Sequence, residues 1–494
     1  MQEPCPAPFN LAAYVLSRAA QTPDKIALAV LSPTGSDRWS YARLETAVRG
    51  MATGLRGMGL TPGDRVLLRL GNTPDFPIAF LACIAVGLVP VPTSAQLTTP
   101  EITRLAAVIR PALILAAPGI ALPEPVPCPV ARDLGALAAH PASGYLMGDP
   151  DRLAYLVFTS GTSGRPRAVA HAHRAVWARR MMWEGWYGLT AQDRLLHAGA
   201  FNWTFTLGTG LLDPWAAGAT ALIPAEGLEL SALPLLLKRH GATIFAAAPG
   251  VYRKMLMQSE NLALPRLRHG LSAGEKLPEA LRKAWQRATG TPVHEALGMS
   301  ECSTFISGSP ARPAPEGTLG YPQTGRRIAV LDQDGQPVSK GRTGTLAIHC
   351  KDPGLMLGYL DDGKPHLPLT GDWFLTGDQV SEAVDGALTY HGRRDDMLNT
   401  GGFRVSPHEI EAAFADLPGV TDCAAVAIEV SEGVFIVAMG YTGPIEEGSL
   451  RVAAEAGLAR YKQPRLYARL AALPRTANGK LDRAALRACL KEVT

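Results

Sequence analysis

The sequence predicts an α/β fold. A large N-terminal domain of layered α/β subdomains should carry a small β-rich subdomain at its end, and a small α+β domain should follow. Three observations predict this. Strand-like and helix-like stretches alternate through the first half of the chain. After about Gly317 the texture changes to short strands separated by Gly and Asp. Beyond the charged cluster Gly392-Arg393-Arg394-Asp395-Asp396 lies a module of roughly 100 residues with its own helix and strands. At 494 residues the chain is too long for one core, and the division is expected near 393–395, giving domains 1–393 and 394–494.

Taken in order, residues 10–20 place apolar side chains at helical spacing and 25–31 read as a strand. Residues 41–58 form a second expected helix, stopped by Gly59 and Pro62-Gly63, and 65–70 another strand. The apolar stretch 76–92 is near the length of a membrane span, but Pro77, Gly87, Pro90 and Pro92 interrupt it. A buried helix followed by a short strand accounts for it better. Strands at 220–223 and 242–245 continue the alternation. The β-rich part contains 327–331, 345–349 and 387–390, and the last module a helix at 407–415 with strands near 424–428 and 435–440.

Composition excludes several classes of function. With 47% hydrophobic and 19% charged residues the chain suits a globular protein with a large core. Its 48 basic and 44 acidic residues leave +4, with no Lys/Arg-rich run, so nucleic acid is not an expected partner. Seven scattered cysteines without CxxC spacing argue for a reducing compartment, with neither a disulfide framework nor a zinc site. Met1-Gln2-Glu3-Pro4 lacks the basic-then-apolar order of a signal peptide, so the expected location is cytoplasmic, with no membrane partner. Nothing in the sequence speaks to oligomeric state.

Chemistry concentrates in five motifs. In the first, Thr159-Ser160-Gly161-Thr162-Ser163-Gly164-Arg165-Pro166-Arg167, hydroxyls, glycines and cations follow an apolar strand-like run. Backbone amides and hydroxyls in such a loop can donate to phosphate oxygens while arginine neutralises charge; it is not the GxxxxGK[ST] pattern. The others are Leu297-Gly298-Met299-Ser300-Glu301, Trp373-Phe374-Leu375-Thr376-Gly377-Asp378, the segment from Gly392-Arg393-Arg394-Asp395-Asp396 to Gly401-Gly402-Phe403-Arg404-Val405, and Leu473-Pro474-Arg475-Thr476-Ala477-Asn478-Gly479-Lys480-Leu481-Asp482-Arg483. Singly, each also describes an ordinary turn, a surface carboxylate or a solvated charge cluster.

Together, in this order, they resemble the adenylate-forming superfamily of acyl-CoA synthetases, peptide-synthetase adenylation domains and luciferases. The similarity runs from Tyr41-Ala42-Arg43-Leu44 to Arg483. It implies that a carboxylic acid is activated by ATP to an acyl-adenylate and then passed to the thiol of coenzyme A. It further implies that residues 159–167 hold the β- and γ-phosphates, that Ser300 donates to the α-phosphate, and that Glu301 helps hold Mg²⁺. Asp378 and Arg393 would meet the ribose, Ala273-Gly274-Glu275 would line the adenine, and Lys480 would bridge the acyl carboxylate and the α-phosphate. The resemblance makes the C-terminal domain mobile about a hinge at Asp395. Its rotation would replace Lys480 by the loop Thr400-Gly401-Gly402-Phe403, whose glycines allow close approach of a pantetheine arm.

The chain departs from the pattern in places. Arg167-Ala168 stands where the family usually has Lys-Gly, exchanging an ammonium for a planar fork. Leu297 replaces an aromatic that would stack on adenine. A non-aromatic there, with Asp395-Asp396-Met397-Leu398 and Val405-Ser406-Pro407, is similar to the aryl-CoA ligase branch. Gly298 occupies the position where acetate-specific relatives carry Trp, so the acyl pocket should admit larger acids. Met299, Trp203, Ala247 and Ala248 are its further expected walls. Their apolar character and the absence of an evident counter-charge favour an apolar or aromatic monocarboxylate. An enzyme that loads the pantetheine of an acyl carrier protein, and a degenerate nucleotide-binding relative, are the competing expectations. His171-Ala172-His173 offers no third metal ligand, and Cys302 has no partner signature for a nucleophile.

Overall fold

The structure, a computed structural model, describes residues 3–160, 166–257, 261–274, 276–393, 398–400, 403–415, 417–474 and 481–492. Among the expected site residues, Gly161, Thr162, Ser163, Gly164, Glu275, Asp395, Gly401, Gly402 and Lys480 lie outside these.

The central sheet contains six parallel strands in the order Val293–Met299, His269–Ala273, Ile244–Ala247, Arg194–His197, Thr220–Pro224 and Ile26–Leu31. Antiparallel strands Ser303–Ser307 and Tyr321–Pro322 extend one edge and Ser36–Ser40 the other. The parallel strands are near-continuous apolar runs because helices cover both faces. A second parallel sheet orders Val89–Pro92, Arg65–Arg69, Leu113–Ala116 and Val130–Ala131. A third, antiparallel sheet pairs Leu153–Ser160 with Pro166–Ala172, then Gly358–Asp361 and Lys364–His366. These are the expected layered subdomains. The β-rich part is the antiparallel sheet Ile328–Leu331, Thr343–His349, Trp373–Glu382 and Leu388–Arg393.

Local signals explain the elements. The helix Tyr41–Gly57 buries Tyr41, Leu44, Val48, Met51 and Leu55 on one face. Ser40 caps its start by accepting from the Arg43 amide at 3.2 Å, and the Tyr41 hydroxyl donates to the Ala219 carbonyl at 2.7 Å, tying helix to sheet. Residues 76–92 are indeed a buried helix, Asp75–Ala85, and the short strand Val89–Pro92. Among the described residues no helix is long and apolar enough to cross a membrane. The helix expected at 10–20 is shorter, Leu11–Val15: beyond it Ser17 and Ala19 bond to carbonyls three residues back, so the chain tightens into turns. The two π-helical segments Trp183–Tyr187 and Thr206–Leu212 leave no mark in the periodicity.

The C-terminal part is α+β. The hairpin Leu398–Thr400/Phe403–Val405 and the helices Pro407–Ala412 and Glu447–Gly457 accompany a sheet of Asp422–Ser431, Val434–Thr442 and Leu466–Arg469. Ile410, Phe414, Val437, Met439 and Leu450 share one core cluster.

His171, His173, His197, His269 and His294 are all buried. Burial pushes their imidazoles down from 6.5, to about 4 at His171 and His269 and to about 3 at His173, His197 and His294. A depressed base contributes stability that is present above its unfolded pKa and is lost as pH falls toward the folded one. Chemical denaturation should therefore show a plateau above pH 6.5 and a steep loss down to about pH 3. His197→Phe, which removes one such site from an aromatic surrounding, should reduce that slope.

Candidate functional site

A cleft of about 280 Å³ opens at the carboxyl ends of His269–Ala273 and Val293–Met299, beside the end of Leu153–Ser160. Its walls bring together Thr159, Ala273, Gly274, Leu297, Gly298, Met299, Ser300, Glu301, Asp378, Trp203 and Phe403. Ala247 is buried in a core cluster with Leu196 and Tyr252, and Ala248 precedes the helix Pro249–Leu256; neither lines the cleft. The Ser160 and Arg393 side chains lie outside what is described. Arg393 is the register partner of Asp378, so the strand Leu388–Arg393 runs up to the expected domain division.

The turn at 299–304 is pinned atom by atom. His171 Nε2 donates to the Ser300 carbonyl at 2.8 Å, and the Met356 amide donates to the Glu301 carbonyl at 2.8 Å. Arg326 Nη2 donates to the Cys302 and Thr304 carbonyls at 3.1 and 2.8 Å. Arg326 is itself paired with Asp352 at 2.8 Å, both fully buried. Burial works against the guanidinium charge, but the Cys302 thiol and the Asp352 carboxylate hold its pKa above the ordinary value. A Cβ on Gly354 would overlap Arg326 Nη1, so a side chain there would push the guanidinium from its present place. Burial raises the Cys302 thiol to about 12, which leaves it a packed thiol and no nucleophile.

Glu301 is buried, and its Oε1 accepts from the Tyr359 hydroxyl at 2.8 Å. The Arg167 guanidinium sits 3.3 Å from the centre of the same tyrosine ring. Tyr359 thus joins the first motif to the second, a role no spacing in the sequence announces. Asp378 is buried on the cleft wall, its amide donating to Thr376 Oγ1 at 3.1 Å. Glu295, one turn of the pleat before Leu297, also lines the cleft. Burial pushes its carboxyl up to about 7, although the Leu277 amide at 2.8 Å and Arg282 at 3.0 Å both bond it.

The two histidines of His171-Ala172-His173 do not share a face. His171 is within the strand Pro166–Ala172, while His173 lies past it and accepts from the Leu11 amide at 3.0 Å. Trp203, Phe205, Thr209, Ser303 and Thr304 line the end of the cleft nearest Gly298. A Cβ at Gly298 would lie 2.7 Å from Thr304 Cγ2 and 2.9 Å from the Ser303 carbonyl, so any side chain there meets the neighbouring strand first.

This end is less apolar than the sequence led us to expect. Arg179 Nη1 donates to Ser303 Oγ, and Arg179 pairs with Asp213 at 2.6 Å; the Tyr187 hydroxyl donates to Asp213 at 2.7 Å and is 2.8 Å from Thr209 Oγ1. Asp213 keeps the buried guanidinium charged. The pair is internally neutralised and so offers the cleft no free counter-charge of its own; the cations Arg104 and Lys276 also line the cleft. Asp213 is the one acid between Arg194 and Glu226, and that isolation in an apolar stretch was the signal available for it.

The sequence profile described as AMP-binding enzyme matches residues 15–360, and that of the AMP-binding enzyme C-terminal domain matches 409–480. The chain belongs to the AMP-binding enzyme family. A benzoate–CoA ligase of Thauera aromatica is 31% identical over 482 residues, covering 91% of this chain and 90% of that protein. A 3-hydroxybenzoate–CoA ligase of Aromatoleum sp. (strain CIB) is 28% identical over 92% of each. The solved benzoate CoA ligase from Burkholderia xenovorans LB400 is 28% identical, with a TM-score of 0.70 over 97% of this chain and 100% of that one. An o-succinylbenzoate CoA synthetase of Bacillus subtilis, 24% identical, shares the fold at a TM-score of 0.85 over 96% and 98%. The expected superfamily, and its aryl-CoA ligase branch, are thereby borne out.

Arg326→Met would leave Asp352 buried without its cation and should cost about 3–5 kcal/mol of unfolding free energy, read by urea denaturation. Gly298→Ala should cost about 1–3 kcal/mol by forcing the two strands apart, and should narrow the range of acids accepted.

Proposed function

We infer that the chain is an AMP-forming acid–thiol ligase that joins a carboxylic acid to coenzyme A through an acyl-adenylate. The acid is an aromatic or medium-sized apolar monocarboxylate. The observation that carries this is a single cleft to which four of the five separated motifs contribute, through Thr159, the Leu297–Glu301 run, Asp378 and Phe403. The named activities of the benzoate and hydroxybenzoate ligases support the choice of acid, as do the aromatic walls Trp203 and Phe205 and the neutralised Arg179–Asp213 pair.

In the first half-reaction the acid's carboxylate oxygen bonds to the α-phosphorus of ATP and the bond to pyrophosphate breaks. Ser300 donates to an α-phosphate oxygen, and residues 159–167 hold the outgoing phosphates. Lys480 supplies a point cation where negative charge gathers. Asp378 accepts from the ribose hydroxyls, with Arg393 beside it, and Ala273-Gly274-Glu275 lines the adenine. Glu301 suits a hard cation: one oxygen is fixed by Tyr359 and the other makes no hydrogen bond to the described residues. It would hold Mg²⁺, which offsets phosphate charge when bound. In the second half-reaction the thiol loses its proton and its sulfur bonds to the acyl carbon, while the bond from that carbon to the bridging oxygen breaks and AMP leaves with the oxygen. Gly401, Gly402 and Phe403 then stand where Lys480 was needed, with Asp395 as the hinge between 1–393 and 394–494. The stacking of Phe403 on Tyr461 at 4.0 Å and its approach to Trp203 at 6.3 Å favour this arrangement of the loop. The scattered free cysteines fit a cytoplasmic enzyme.

Pyrophosphate release with ATP and Mg²⁺ across acids from acetate to decanoate, plus benzoates and phenylacetate, tests the proposal. Turnover that peaks on benzoates or medium-chain acids and requires CoA is the expected result. A requirement for a pantetheinylated carrier protein in place of CoA would reassign the acceptor. Lys480→Ala should lower adenylate formation by roughly 10²–10³-fold and leave thioester formation from preformed acyl-adenylate nearly unchanged; equal loss in both would refute the exchange of Lys480 for the Phe403 loop.

A further inference from the structure

Lys462 is a buried ammonium gripped by two carboxylates from different parts of the chain. Its Nζ lies 2.7 Å from Glu409 Oε1 and 3.0 Å from Glu101 Oε1, with the three side chains 9%, 8% and 2% exposed. Glu409 and Lys462 both fall in the segment matched as the C-terminal domain, whereas Glu101 falls in the AMP-binding segment. The link therefore crosses between them. Glu101 also accepts from the Ala459 amide at 3.2 Å through the same oxygen. Its other oxygen accepts from the Thr98 amide and hydroxyl at 2.9 and 3.0 Å, fixing the carboxylate to the start of its own helix, Thr99–Ile109.

The charges balance. Arg69 is fully buried near Glu101 and donates to neutral oxygens: Thr93 Oγ1 at 3.1 Å and the carbonyls of Ser94, Leu97 and Ala121. Two cations thus meet two carboxylates, which is the condition under which buried charge is tolerated. The cluster also reaches the cleft: Tyr461, next in the chain, stacks on Phe403, and Tyr461, Lys462, Glu101 and Glu409 all line its mouth.

We propose that Lys462 is a positioning residue, an interdomain clasp that fixes the C-terminal domain over the cleft with Phe403 at its mouth, and so sets the rate of thioester formation without taking part in adenylate formation. The functional half of this rests on the ligase reading. Two of the ammonium's three donors are taken by these carboxylates.

Glu101→Gln is the sharpest variant, because its one amide oxygen keeps an acceptor for the Thr98 amide while the charge, and with it the side that holds Lys462 and the Ala459 amide, is given up. Thioester formation from preformed acyl-adenylate should fall by roughly ten- to a hundredfold, in kcat more than in KM for CoA. ATP–pyrophosphate exchange should stay within about twofold. Hydrogen exchange at residues 459–462 should accelerate. The charge-balanced double variant K462M/E409Q, which leaves Glu101 opposite Arg69, should recover melting temperature relative to K462M but not the thioester rate, which a merely structural role would restore together. Proportional loss of both half-reactions, or an unchanged thioester rate alongside faster exchange, would overturn the proposal. Should the wild-type protein activate no acid at all, the ligase reading fails while the clasp is still judged: unchanged exchange at 459–462 in Glu101→Gln would refute it.

Discussion

The turn that carries Ser300 and Glu301 belongs to no helix, and the strand before it ends at Met299. What holds it is a guanidinium beneath it. Arg326 gathers the carbonyls of Cys302 and Thr304 with one hand and Asp352 with the other. Asp352 in turn orders the Arg327 and Gly354 amides at 2.8 Å. Breaking such a pair costs far more than making it gains, because either partner alone is a desolvated charge. Everything at the site that depends on the direction of Glu301, including its bond to Tyr359 and the seat of Arg167 on that ring, inherits its geometry from this ion pair.

A second buried network, Arg179 with Asp213, Tyr187 and Thr209, supports the same turn from its other side. Ser303 lies between the two supports. It adopts a left-handed backbone at φ 62° and accepts from Arg179, while the carbonyl of Thr304 beside it accepts from Arg326. A non-glycine residue in that conformation is strained, and such strain persists only where surroundings over-determine it. Here the two guanidiniums do so, one on each side of the turn. The cleft is thus built from polar groups satisfied against each other. That explains how walls containing Arg, Asp and Glu can still receive an apolar acid.

Much of this was legible in the sequence. The alternation of strands and helices, the β-rich texture after Gly317 and the buried nature of residues 76–92 follow from periodicity and turn residues, which are local properties. The motifs that meet at the cleft were legible because their residue types are set by phosphate, diol and metal chemistry. What escaped has one common cause: it lies in partnerships between residues far apart in the chain. Tyr359, Arg326, Lys462 and Glu101 look like unremarkable surface or core residues until the fold brings them to their partners. The walls assigned to Ala247 and Ala248 were displaced for a related reason. The strand Ile244–Ala247 sends its side chains alternately into two core clusters, and Ala248 follows it, so neither alanine faces the cleft. The π-helical segments also defeat periodic analysis, because their extra residue per turn shifts the apolar stripe.

The strand Ile26–Leu31 has a consequence for how the protein comes into being. Its sheet partner is Thr220–Pro224, with Leu28 opposite Ala221. On a ribosome adding residues at the usual pace, that first strand emerges and then waits about 10 to 40 seconds for the segment that will cover its edge. During that interval the apolar run Ile26-Ala27-Leu28-Ala29-Val30-Leu31 can pair only with Ser36–Ser40, the hairpin partner already made. The polar, charge-bearing edge strand Ser36–Ser40 thereby serves two ages of the molecule, closing the finished sheet and shielding its opening strand while the rest of the domain is still being synthesised.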